Sequence, residues 1–289
     1  MNVLGHTKVL GVFGDPIAHS LSPVMHNAAI RWLNIDYIYV PFHVLPKNLP
    51  EAIKGISAMG LAGVNVTIPH KEQVIEYLDE ISERSAQIRS VNTIVNVDGR
   101  LRGDTTDGPG FIRSATAEWG KLDGCKALIL GAGGSAKAVA FALAEIGCEI
   151  IVANRTRRRA VELVEGLNQV FEAGKFGAAG LSEQELIDEM PEVDLVVNTT
   201  SVGMHPDVDS IPVPPELLHP RLLVYDLVYS PVRTRLVAEA EKCGARAMNG
   251  LSMLVYQGAI SFEMWTGFQA PISVMEEAIH KTLGDTRGQ

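Results

Sequence analysis

Short apolar runs rich in β-branched residues recur along this chain, separated by longer stretches in which apolar positions return every three or four residues. Residues 8–14, 37–42 and 63–68 read as strands closed by Gly or Pro, and residues 23–33 and 49–59 as the helices between them. Strands this uniformly apolar are buried on both faces, and their alternation with helices implies parallel βαβ units. Residues 90–102 break the pattern, because Asp98-Gly99 is a hairpin turn between two runs. A second series begins after Asp123-Gly124. It places strands at 126–130, 149–153, 194–198 and 222–227, with helices at 135–146 and 157–167. Residues 253–283 read as helical with a break at 267–271, and the Pro- and Asp-rich stretch 206–220 as a surface loop. No repeat of fixed period is present, and the boundary between the two series falls near residues 107–124.

Composition narrows the classes. At 289 residues the chain has room for about two domains, and 46% hydrophobic against 20% charged residues is globular rather than disordered. With 25 Lys+Arg against 34 Asp+Glu the net charge is −9, which disfavours a nucleic-acid surface but leaves room for a local phosphate site. Three cysteines, Cys125, Cys148 and Cys243, are too few and scattered for a disulfide framework, and are expected as reduced, buried small hydrophobes. The first residues hold no long apolar core with a small-residue cleavage site, and no run nears 18 apolar residues. A cytoplasmic protein with small-molecule partners is expected, without nucleic acid or membrane.

One segment carries a phosphate-binding signature. The strand ending at Leu130 runs into Gly131-Ala132-Gly133-Gly134-Ser135-Ala136 and then a helix, a G-x-G-x-x-A match in a strand–turn–helix–strand frame. Gly131 permits the tight turn, Gly133 lets the backbone approach a pyrophosphate, and the helix N-terminus offers free N–H groups. The next strand ends at Asn154-Arg155-Thr156, followed by Arg157, Arg158 and Arg159, where a cofactor with a free 2′-hydroxyl would meet a carboxylate. Guanidinium groups pair with phosphate, so NADP is favoured over NAD. The expected fold class is therefore α/β, with two α/β lobes across a cleft, the second a Rossmann-like doubly wound parallel sheet.

Three further strings stand in the first series. They are Gly14-Asp15-Pro16-Ile17-Ala18-His19-Ser20-Leu21-Ser22-Pro23 running on to His26-Asn27, then Asn65-Val66-Thr67-Ile68-Pro69-His70-Lys71, then residues 103–110 with Asp107. With Ser90-Val91-Asn92-Thr93, Asn198 to Met204, Tyr229-Ser230-Pro231 through Thr234 and Gln257-Gly258-Ala259, the chain resembles the shikimate dehydrogenase family over essentially its whole length. The resemblance implies NADPH-dependent, reversible reduction of 3-dehydroshikimate to shikimate in aromatic amino-acid biosynthesis. It implies a substrate-binding and catalytic domain at 1–107, completed by 244–289, and an NADP-binding domain at 108–243, in a monomer or homodimer.

Lys71 and Asp107 are the expected catalytic pair. Hydride arriving at a ketone carbon leaves negative charge on oxygen, which an ammonium can stabilise and protonate. Asp107 can hold that ammonium and accept a hydrogen bond from a ring hydroxyl. Ser20 and Ser22, two apart, would project to one side of an extended loop and bond the substrate carboxylate. The resemblance adds Thr67, Asn92, Tyr229 and Gln257 on the substrate. On the cofactor side, Gly131, Ala132, Gly133, Gly134, Ser135, Asn154, Arg155, Thr156 and Arg159 are expected, with Glu83, Leu227 and Gly250 by resemblance. The family's Asn-Thr-Asp-Gly is here Thr105-Thr106-Asp107-Gly108, which removes an amide beside the acid. His19, His26 and His70 form no H-x-x-x-H cluster and read as loop and core hydrogen-bonding residues, so no metal is expected. Two alternatives remain. One is an NAD-using quinate/shikimate dehydrogenase, opposed by the arginines of 154–159. The other is a non-catalytic NADP and shikimate sensor, opposed by Lys71 and Asp107.

Overall fold

The computed structural model describes residues 3–285; the remaining terminal residues of the expected domain ranges lie outside it. The chain divides into two compact units. One comprises the residues up to Gly110 together with those from Leu254 onward, and the other is Phe111–Met253. Residues 244–253, expected with the first domain, belong instead to the second unit, because a short strand there extends the second sheet.

The first unit is built from β1 (Lys8–Gly14), α1 (Ser22–Leu33), β2 (Tyr37–His43), α2 (Leu49–Ala58), β3 (Gly63–Val66), β4 (Glu80–Ile81), α3 (Glu83–Ile88), β5 (Thr93–Val97) and β6 (Arg100–Asp104). Its six strands run in the order β2-β1-β3-β5-β6-β4. β1 pairs in parallel with β2 and β3, while β5 and β6 form an antiparallel hairpin against β3. The Asp98-Gly99 turn behaves as its sequence demands, since both residues have positive φ, 51° and 90°. β3 stops at Val66 rather than residue 68, leaving Ile68 exposed ahead of Pro69. One core of this unit gathers Phe13, Leu49, Ile53, Ile56, Val64 and Ile94 between the sheet and α2.

α4 (Asp107–Trp119) fills the stretch expected to be a boundary, and the chain passes between units within it. Gly108, Pro109 and Gly110 hide the helix from sequence, yet Pro in a first turn costs no helical hydrogen bond. The second unit continues with β7 (Lys126–Leu130), α5 (Gly134–Glu145), β8 (Glu149–Ala153), α6 (Arg157–Val170), β9 (Phe176–Ala179), α7 (Glu183–Glu189), β10 (Leu195–Asn198), β11 (Leu223–Asp226), α8 (Arg235–Lys242) and β12 (Arg246–Met248). All six strands are parallel, in the order β12-β11-β10-β7-β8-β9, so the order reverses between β7 and β10. That is the doubly wound arrangement. Residues 206–220 hold only a single 3₁₀ turn, and Val213 and Leu218 pin the loop to the core. α9 (Leu251–Thr266) returns the chain to the first unit, where α10 (Ile272–Asp285) packs on α1. No helix among the described residues is long and apolar enough to cross a membrane.

Candidate active site

Lys71 and Asp107 meet in the first unit. Beyond β3, the Thr67 N–H donates to the Phe13 carbonyl and the His70 N–H to the Thr67 carbonyl, so the turn is fixed at both ends. The His70 ring is tied by Nε2 to the Val44 carbonyl at 2.6 Å, and the Lys71 carbonyl accepts from the Val91 N–H. The Lys71 ammonium then donates to Asp107 Oδ2 at 2.6 Å, with only 14% and 5% of the two side chains exposed. Asp107 opens α4, where a carboxylate complements the helix dipole.

The other carboxylate oxygen is held as firmly. Asn92 Nδ2 donates to Asp107 Oδ1 at 2.8 Å and lies 3.2 Å from Gln257 Oε1. Asn92 Oδ1 accepts from the Thr106 N–H at 2.8 Å and from the Thr93 hydroxyl at 3.0 Å. Gln257 comes this near because residue 110 is glycine: a Cβ there would lie 2.7 Å from both Cβ and N of Gln257. Behind Asn92, the Ser261 hydroxyl is 2.8 Å from Thr93 Oγ1, and Asn65 Nδ2 donates to Ser261 Oγ at 3.1 Å. The Tyr39 hydroxyl donates to Asn65 Oδ1 at 2.8 Å. Burial pushes that phenol well above its ordinary pKa, against the pull of a hydrogen bond from Ser22.

Ser20 and Ser22 depart from the expected geometry. Leu21 has helical torsions and Ser22 is already the first residue of α1, so the loop is not extended and the two-residue alternation does not apply. The Ser22 N–H donates to Ser20 Oγ at 3.3 Å, while its own hydroxyl turns to Tyr39. Thr67 is half-buried on the same turn as Lys71. Thr105, standing where the family pattern has Asn, is buried with no partner for its hydroxyl. Asn92, rather than residue 105, therefore orients the acid.

His26 corrects a second expectation. It is core, but neither ring nitrogen has a hydrogen-bonding partner. The ring stacks on Tyr39 with centroids 4.2 Å apart and lies against Phe262 and Trp265. Burial lowers its pKa from 6.5 to about 3, so the imidazole is neutral.

The second unit carries the glycine turn. Gly131 has φ 111°, and a Cβ there would lie 2.5 Å from the Thr199 hydroxyl, so only glycine fits. Gly133 is the residue before α5; no side chain caps that helix, and a Cβ on Gly133 would meet nothing within 4 Å. Ala132 is buried beneath, and Gly134 and Ser135 open the helix. A helix N-terminus of this kind, with open space above its glycine, is the arrangement expected to receive a pyrophosphate. Asn154 Nδ2 donates to the Thr156 carbonyl at 2.9 Å, shaping the turn after β8. Arg157 pairs with Glu185 and Arg158 with Glu162, whereas exposed Arg155 and Arg159 have no ion-pair partner among the described residues. The two unpaired guanidinium groups are those expected on a 2′-phosphate.

Leu227 and Gly250 are brought together: a Cβ on Gly250 would lie 2.1 Å from the Leu227 carbonyl oxygen. Gly250→Ala is expected to lower the stability of this unit by about 3 kcal/mol, the upper range for overpacking, because backbone rather than a flexible side chain must move. A urea midpoint equal to that of the unsubstituted chain would show that the two segments separate freely. Tyr229 is half-buried in the second unit, and its hydroxyl is pushed up by burial. Glu83 stands exposed in the first turn of α3, in the first unit, whereas the glycine turn is in the second.

Family models cover most of the chain. The shikimate dehydrogenase substrate binding domain matches residues 12–94, the shikimate / quinate 5-dehydrogenase model 113–204, and the shikimate 5′-dehydrogenase C-terminal domain 250–280. A shikimate dehydrogenase (NADP(+)) of Methanopyrus kandleri is 47% identical over 286 residues, covering 98% of each chain. The chain belongs to the shikimate dehydrogenase family. Among solved structures, a shikimate dehydrogenase in complex with NADP+ superposes with a TM-score of 0.91 at 41% identity, over 98% of both chains. The Thermus thermophilus enzyme in complex with NADP(H) and shikimate gives 0.85 at 39% identity, over 95% of this chain and 99% of that one.

Several residues that brace this shikimate dehydrogenase site were given no role from sequence. Asn65 is a polar position in an otherwise apolar strand, and Ser261 follows Gln257 by four on an apolar helix face; both are readable signals. Asp226 ends the apolar run of β11. It is fully buried and accepts from Asn198 Nδ2 at 2.8 Å, the Val228 N–H at 3.0 Å and the Thr234 hydroxyl at 2.6 Å. Burial raises its pKa, and its three donors tie the segment before Tyr229 to the end of β10.

Proposed function

We propose that this chain catalyses the NADPH-dependent, reversible reduction of 3-dehydroshikimate to shikimate, the biosynthetic reaction of its family, as a cytoplasmic oxidoreductase. The observation that carries the reading is the buried Lys71–Asp107 pair, closed by Asn92 on the far carboxylate oxygen. NADPH supplies the hydride. Lys71 stabilises the charge that gathers on the ketone oxygen and gives it a proton; in the reverse direction it receives that proton from the hydroxyl. Asp107 keeps the ammonium in place and accepts from a neighbouring ring hydroxyl. Asn92, Gln257 and Thr67 offer neutral groups suited to a small polyhydroxylated ring, with Ser20, Ser22 and Tyr229 completing the substrate set. Gly131 to Ser135 would hold the pyrophosphate, Asn154 and Thr156 the ribose side, Arg155 and Arg159 the 2′-phosphate. Leu227, Gly250 and Glu83 are assigned to the nicotinamide half.

Initial rates with shikimate, NADP set beside NAD, test the reading. Fast turnover with strong NADP preference is expected, and no turnover with either cofactor would remove it. Arg155→Ala sharpens the cofactor assignment. Hydrogen bonds to charged groups are worth about 1.5–3 kcal/mol, so KM for NADP should rise roughly tenfold to a hundredfold, with KM for NAD little changed. Equal effects on both cofactors would take Arg155 off the phosphate.

A further inference from the structure

Cys125 and Cys148 immediately precede β7 and β8, neighbouring parallel strands paired Lys126 with Glu149. The Glu149 N–H donates to the Cys125 carbonyl at 3.0 Å, which carries the same register one step back. The two cysteines thus stand side by side across a strand spacing of about 4.8 Å, inside the range of roughly 4.4–6.8 Å that a disulfide needs between Cα atoms. Their sulfurs are 3.3 Å apart. Cys125 is half-buried, and Cys148, itself buried, stands at the wall of a surface pocket with Gly147, Glu149, Phe171 and Lys175. The Cys148 thiol also reaches the Leu122 carbonyl, at 3.2 Å. The hydrogen bond between the two thiols, with burial, raises the pKa of Cys125, and the same bond lowers that of Cys148. Cys243 bonds to the Ala240 carbonyl of its own helix.

We propose that Cys125 and Cys148 form a reversible dithiol–disulfide site whose co-substrate is a small peroxide. The thiolate of one of the two cysteines attacks one oxygen of hydrogen peroxide, the O–O bond breaks, and the other oxygen leaves as hydroxide and takes up a proton to become water. The sulfur of the other cysteine then displaces the sulfenic oxygen as a second water, forming the S–S bond. Two thiols lose two electrons and two protons in all, and the peroxide gains them. The bond closes the β7–α5–β8 crossover covalently. It lies just before β7, whereas Gly131 follows its end, about 20 Å away at a strand rise near 3.3 Å per residue. The site therefore stands independently of the dehydrogenase reading.

Peptide mapping of the full chain after stoichiometric hydrogen peroxide tests the proposal. Two of the three thiols should be lost, the intact mass should fall by two hydrogens, and a single Cys125–Cys148 cross-link should appear. The melting temperature should rise by several degrees, and dithiothreitol should reverse every change. Persistence of all three thiols, or a cross-link to Cys243 or between copies, would overturn it. In Cys125→Ser and in Cys148→Ser the loss of two hydrogens should vanish; a cross-link from the remaining cysteine to Cys243 would equally overturn the pairing. The mapping of the unsubstituted chain decides even if either variant folds poorly.

Discussion

Lys71→Met should lower kcat for shikimate oxidation by roughly 10²–10⁴-fold, the usual worth of a positioned general acid–base group. The substituted side chain keeps the length of the lysine stem but has no proton to give or take. Asp107 loses its ammonium and keeps its bond from Asn92. Lys71 lies in the first unit and the glycine turn in the second, so NADPH affinity should stay within about twofold of the unsubstituted chain; measured by fluorescence, it also reports that the variant is folded. A fall in kcat/KM carried wholly by KM would make Lys71 a binding residue. An unchanged kcat would remove it from the chemistry.

The second large effect is acid sensitivity centred on His26. Its folded pKa of about 3 lies below the ordinary 6.5, so between those values the unfolded chain binds a proton that the folded chain refuses. The contribution is fully present above about pH 6.5 and is lost as pH falls toward 3. At about 1.4 kcal/mol per pH unit it costs roughly 3 kcal/mol by pH 4.5 and about 5 kcal/mol at the acid limit. Burial is the cause of the shift, and the rings of Tyr39, Phe262 and Trp265 lie against the imidazole. Urea unfolding of the unsubstituted chain and of His26→Phe, each at pH 7.5 and 4.5, isolates the term. The phenyl ring keeps the stack on Tyr39 and cannot take a proton, so its stability should fall by about 3 kcal/mol less over that interval. Parallel losses in both proteins would place the acid lability elsewhere.

Much of this was legible in the chain itself. β1, β7 and β8 begin and end where their apolar runs do, and the glycine turn lies where strand and helix patterns meet. Lys71, Asp107 and Asn92 were named from motifs and do converge. What escaped is short or masked. β4 has two residues, and α4 hides behind Gly-Pro-Gly. Ser22 entered a helix one residue before Pro23, so an alternation argument fitted to an extended loop failed. His26 was read as a hydrogen-bonding residue, but its partners are ring faces that no local spacing announces. Asn65 and Ser261 meet across 196 positions, a separation that no window of sequence spans.

That separation bears on how the molecule is made. The second unit is one unbroken stretch, Phe111–Met253, and all its strands can leave the ribosome before synthesis ends. The strands of the first unit are made earlier still, within residues 8–104, but its helices α9 and α10 follow every strand of the second unit. Its carboxylate is braced through Asn92 by Gln257, and its sheet accepts the Trp265 indole against the Ile94 carbonyl, so its earliest residues wait for nearly the last ones. At translation rates of about 5–20 residues per second, that wait is roughly ten seconds or more for the strands made first. The nascent chain thus carries a sheet whose strands are all made but whose late helices are still missing while the nucleotide-binding half is already complete.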